Sequence, residues 1–126
     1  MGRNIVFTEK APHPAGPYSQ GIQLENDLMF VSGQIGVEPE TGELAGTVEE
    51  QAKQALENMV AVVHAGGGTA ASVLKTTLFL ADMEKYTAVN EIYAGFFAEN
   101  PPARTCVEVS ALPKGALIEI ECIARV

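Results

Sequence analysis

Arg104 sits two residues behind the Pro101-Pro102 pair, in "NPPARTCVEV", with Cys106 two residues on. An arginine fork grips a carboxylate through two parallel hydrogen bonds and stays charged at any working pH. At the edge of a cleft it would anchor a small acid. The ordinary alternative is a salt bridge to one of the sixteen acidic side chains.

Glu119 lies in "LIEIEC". Strand alternation puts Glu119 and Glu121 on one face and Ile118 and Ile120 on the other. A carboxylate in a pocket can orient and deprotonate a water; otherwise the pair marks a wet face. Arg104 could lower the pKa of Cys106 and make it a nucleophile. No histidine lies near it in sequence, although His13 could approach in space, and a buried structural thiol is the better reading. Tyr18 and Ser19 follow the stiff "HPAGP" segment, which suits a pocket wall or a tyrosine packed on its own sheet. Ser32 and Gly33, in "VSGQIG", are expected at a strand end, where glycine exposes backbone N–H groups to a ligand or marks a bulge. The glycines at 66–68 follow a helix and precede no Lys-Ser/Thr, so they are no phosphate loop. One arginine, one glutamate, a tyrosine, a serine and open amides suit a small 2-oxo or 2-imino acid.

Composition narrows the choice. The chain has 126 residues, which suits one domain spanning 1–126, and it is 47% hydrophobic and 19% charged. Its net charge of −8 and its scattered lysines (10, 53, 75, 85 and 114) disfavour nucleic acid. No apolar run is long enough to span a bilayer and no signal peptide is read, so a cytoplasmic protein is expected. Cys106 and Cys122 form no Cys-x-x-Cys pair and the two histidines are remote, so no metal site is expected and two buried, reduced thiols are.

Patterning supplies the elements that must position these residues. "RNIVFT", "YSQGIQL" and "DLMFVSGQIGV" read as strands, with Asn26-Asp27 as the turn between the last two, and "EPETGEL" as a loop. A helix begins at Thr47, with Glu50 completing a capping box, and "AGGG" stops it. "SVLKTTLFLADM" reads as a strand and residues 83–100 as a second helix ended by Pro101-Pro102. "ARTCVEVSAL" and "ALIEIECIARV" read as a hairpin-like pair. The expected fold is α+β: a mainly antiparallel sheet with two helices on one face. The other sheet face is also apolar, so self-association is expected.

"APHPAGPYSQG", "FVSGQIGVEPETGEL", "VLKTTLFLADMEKYTAVNEIYAGFF" and above all "PPARTCVEVSALPKGALIEIECIA" resemble the RidA (YjgF) family over nearly the whole chain. The resemblance implies a chorismate-mutase-like fold and a homotrimer with sites in the clefts between subunits. It implies hydrolysis, without a cofactor, of 2-iminobutanoate and 2-iminopropanoate released by pyridoxal-phosphate enzymes. Motif by motif, the family's carboxylate-binding arginine falls on Arg104 and its water-positioning glutamate on Glu119. Its pocket residues fall on Tyr18, Ser32, Gly33 and Cys106, the last acting through its backbone carbonyl. The chain departs from many relatives at Pro101, where an aromatic residue is common, and its helix-to-strand connection is shorter. The alternative is a family member that binds 2-oxo acids without turning them over.

Overall fold

The computed structural model describes residues 2–25 and 27–126. Six strands form one sheet: β1 (Arg3–Val6), β2 (Gly21–Leu24), β3 (Leu28–Ile35), β4 (Val73–Leu80), β5 (Ala103–Glu108) and β6 (Ile118–Arg125). Their spatial order is β1-β2-β3-β6-β4-β5. Every pairing is antiparallel except β4 with β5, so the sheet is mixed. Two helices, α1 (Val48–Ala65) and α2 (Tyr86–Ala94), pack on one face. The α+β expectation holds.

The capping box starts α1 as its sequence dictates. The Thr47 side chain accepts from the Glu50 backbone N–H, and Glu50 reaches back to the Thr47 N–H. Such a cap is worth about 1 kcal/mol. Ala52, Ala55, Leu56 and Met59 are wholly buried against β3 and β6. Each large apolar side chain so buried stabilises the fold by about 1.5–3 kcal/mol.

Two of the expectations need correction and a third lies partly outside the described residues. The Asn26-Asp27 turn lies partly outside the described residues, although Asp27 N–H does donate to Leu24 O across that turn. The second helix is shorter than its pattern. Residues Met83–Lys85 form a 3-10 turn, and α2 ends at Ala94, well before the prolines. Gly95 follows it, Phe97 turns into the core, and Asn100 takes φ 48°. Glycine is a poor helix former, so Gly95 stops α2, and the position before Pro101 disfavours a right-handed helix running on to the prolines.

The last two strands are not a hairpin. β4 lies between them, parallel to β5 and antiparallel to β6. The connecting segment wraps the end of β4, with Val109 N–H donating to Leu80 O and Ala81 N–H to Leu117 O. Alternation is a property of each strand alone, so it cannot say which neighbour a strand pairs with.

Register fixes which side chains share a face. Thr76, Leu78 and Leu80 of β4 align with Cys122, Ile120 and Ile118 of β6, and all are buried under the helices. On the uncovered face Ile5, Ile22, Phe30 and Ile123 make a row across four strands. Ile5 is 67% exposed and Phe30 44%.

Candidate active site

Glu119 is carried by β6 on the uncovered face, between Ile35 of β3 and Phe79 of β4. Its neighbour across β3 is irregular. The register slips by one residue between Val31 and Gln34, so Ser32 and Gly33 form a bulge inside β3. They do not end the strand, and the bulge reading of the glycine holds. A Cβ placed on Gly33 would fall on Glu119 Oε2. The missing side chain is what makes room for the carboxylate.

Two buried amides of α1 set this geometry from behind. Asn58 Nδ2 donates to Ile35 O (3.2 Å) and Val37 O (2.9 Å), fixing the end of β3. Gln51 Oε1 accepts from Leu117 N–H (2.8 Å), and its Nε2 donates to Ala45 O, fixing the start of β6 two residues before Glu119. Gln20 does the same for the N-terminal loop, accepting from Thr8 N–H and donating to Thr8 O and Pro12 O. Their burial (Asn58 0%, Gln20 1%, Gln51 3%) makes each lost bond expensive.

A cavity of about 450 Å³ opens on this face, and Tyr18, Ser32, Gly33 and Glu119 line it. Ser32 Oγ donates to Ser19 O (2.6 Å), and Ser32 N–H donates to Gln20 O. The Tyr18 hydroxyl accepts from Ala15 N–H (3.1 Å), which folds the proline loop against its own ring. Burial, and next the charge of Glu121, push the Glu119 carboxyl above its ordinary pKa. That change makes it a better proton acceptor. His13, on the rim of the same cavity, is held by Glu9 at 2.7 Å.

Arg104 and Cys106 do not line this cavity. β5 pairs Arg104 with Thr76 and Cys106 with Leu78, so both side chains lie on the helix side of the sheet. The Arg104 guanidinium lies 4.7 Å from the Tyr93 ring centroid and 5.4 Å from that of Tyr86. Its Nη2 donates to the Tyr86 hydroxyl at 2.9 Å. Tyr93 is itself fixed by a 2.7 Å bond to Thr76 Oγ1. The expected rival, a salt bridge, is not found: the ion pairs among the described residues are His13–Glu9 and Lys53–Glu57. Aromatic faces hold the cation in place and leave hydrogens of its fork free for an anion.

Cys106 is half-buried, against the expectation of two buried thiols; only Cys122 is buried. Burial raises the Cys106 pKa, and the nearby Arg104 charge only partly offsets it. The thiol is therefore protonated at neutral pH and is no poised nucleophile. Burial, then Glu121, pushes Cys122 up to about 12.

Sequence patterning missed Tyr86, Tyr93 and Asn90, which share one face of α2 by their three- and four-residue spacing. Asn90 Oδ1 is buried with no hydrogen-bond partner among the described residues. The signal was available in that spacing, but an aromatic stripe on a helix ordinarily reads as core.

Residues 8–126 match the family model described as "Endoribonuclease L-PSP". The chain belongs to the RidA family. Among its relatives is a human 2-iminobutanoate/2-iminopropanoate deaminase, 47% identical over 123 residues that cover 97% of this chain and 89% of that one. A RutC family protein of Pyrococcus abyssi is 47% identical over 125 residues, covering 98% of both. The solved structure of E. coli TdcF with bound serine superposes with a TM-score of 0.94 at 41% identity, covering 98% of each chain. The RidA fold thus extends to the strand order and helix placement described above, and the family resemblance read from the sequence holds.

Proposed function

We propose that this RidA protein hydrolyses small 2-imino acids to 2-oxo acids and ammonia. The substrates we favour are 2-iminobutanoate and 2-iminopropanoate from pyridoxal-phosphate enzymes. The observation that carries the proposal is an arginine fork with no carboxylate partner among the described residues, presented at a sheet edge, in a chain whose half-buried glutamate has a raised pKa.

In this reading Arg104 pairs with the substrate carboxylate and fixes the position of C2. Glu119 holds a water and takes one of its protons as the water oxygen bonds C2. The nitrogen takes up that proton to give the carbinolamine, and the hydroxyl proton follows through Glu119 to the same nitrogen as the C–O double bond forms, the C–N bond breaks and ammonia leaves. The Cys106 backbone carbonyl accepts a hydrogen bond from the imine N–H, and Tyr18, Ser32 and Gly33 shape the pocket. The imine is intrinsically labile, so positioning and one base are sufficient.

Arg104 and Glu119 lie on opposite faces of one sheet, so one copy cannot supply both to one substrate. We therefore place the site between copies in a homotrimer, with Arg104 from the β5 edge of one subunit and Glu119 from the uncovered face of the next. The apolar row of Ile5, Ile22, Phe30 and Ile123 supports burial of that face by a second copy. A cytoplasmic setting would match the substrates' source. No helix is long and apolar enough to cross a membrane among the described residues. Mere 2-oxo acid binding would leave the raised pKa of Glu119 without a use, and a net charge of −8 disfavours RNA as substrate.

The test couples threonine dehydratase, as imine source, to semicarbazide, as trap. The protein is expected to lower trapping and speed 2-oxobutanoate release. Arg104→Lys, which keeps the charge but loses the fork, is expected to lose about a hundredfold. An unchanged rate of trapping with wild-type protein would refute the activity.

A further inference from the structure

Arginine has no hydrogen-bond acceptor, so in the 2.9 Å contact between Arg104 Nη2 and the Tyr86 hydroxyl the phenol oxygen accepts. The phenol's own hydrogen is left uncommitted, and no acceptor for it is found among the described residues. Tyr86 differs here from Tyr93. The Tyr93 hydroxyl is buried and joined to Thr76, whereas Tyr86 opens α2 and is 38% exposed. The guanidinium lying over the Tyr86 ring holds the phenol in place beside the cation.

Each terminal guanidinium nitrogen carries two hydrogens. With one of them given to Tyr86, Nη2 keeps the other, and the rest of the fork is untouched. A carboxylate seated on that fork therefore lies beside the phenol. Donation from the guanidinium also polarises the phenol and strengthens it as a donor in turn.

We propose that Tyr86 is a further substrate-binding and specificity residue, whose hydroxyl donates to the substrate carboxylate alongside the Arg104 fork. The proposal rests on the anchoring role given to Arg104 above. It makes the anion seat a guanidinium–phenol pair and adds preference for an acid over its uncharged amide.

The test is titration calorimetry with 2-oxobutanoate and 2-oxobutanamide on wild type, Tyr86→Phe and Arg104→Lys, each with its fold checked by circular dichroism. Tyr86→Phe keeps the ring and loses only the hydroxyl. Binding of the acid is expected to weaken about tenfold in Tyr86→Phe, while amide binding is unchanged. In the imine assay KM should rise with kcat nearly constant. Wild-type binding of the acid that is weakened by Arg104→Lys but unaltered by Tyr86→Phe overturns the donor role alone. Failure of wild type to bind the acid, with Arg104→Lys no different, overturns the anchoring role itself.

Discussion

Arg104 and Glu119 stand on opposite faces of one sheet. Thr76 of β4 aligns with Arg104, and Phe79 of the same strand aligns with Glu119, three residues along. An odd offset on a strand reverses the face. The two groups assigned to the proposed 2-imino acid hydrolysis are therefore displayed in different directions, and in that reading assembly brings them together. Each half is separately organised: the Tyr86 and Tyr93 rings and the Tyr86 hydroxyl hold the cation, while the Gly33 bulge makes room for the carboxylate and two buried amides fix the backbone on either side of it.

The pH dependence follows from Glu119. In the proposed reaction its ionised form is the base, and burial with the Glu121 charge raises its pKa. The acid limb of kcat/KM should therefore have its midpoint above the ordinary glutamate value of about 4.3. Glu121→Gln removes one of the two causes and should move that midpoint down. For stability the sign is opposite. Between the unfolded pKa and the raised native one, the native state binds more protons, so stability falls as pH rises through that window. Glu119→Gln should abolish this fall, as read from chemical denaturation at a series of pH values.

Gly33→Ala should damage catalysis more than folding. The new Cβ would fall on Glu119 Oε2, the flexible end of a side chain that can swing away. A carboxylate displaced by an ångström is expected to cost about a hundredfold in kcat/KM. Thermal unfolding and turnover measured on the same preparation separate the two effects.

Cys106→Ser should remain active, within about threefold of wild type. The thiol pKa is raised by burial, and its proposed contribution comes through the backbone carbonyl, which serine retains. Steady-state imine hydrolysis decides this, and a complete loss would restore a chemical role for the sulfur.

Much of this was legible from residues alone. The Thr47–Glu50 capping box marked the start of α1, and alternation in "LIEIEC" put Glu119 and Glu121 on one face, as found. What patterning could not supply was long-range. Strand order is set by how β4 inserts between β5 and β6, which no local period encodes. For the same reason the opposed faces of Arg104 and Glu119 were invisible until register was known. Gln51 and Asn58 interrupt the apolar rhythm of α1 with nothing local to mark their roles, since their partners lie 66 and 21 residues away. The α2 tyrosines have a helical spacing, but nothing local marks them as the seat of a cation.

The most direct test of the composite site is complementation between two inactive variants. Arg104→Ala and Glu119→Gln chains would be co-expressed or mixed after unfolding and refolded together. Turnover of 2-iminobutanoate would be compared with that of each variant alone. If every site takes Arg104 from one copy and Glu119 from another, random mixing at equal amounts restores about a quarter of the sites. Recovery near that level is the predicted result. Co-assembled chains that stay as inactive as either parent would contradict a site shared between copies.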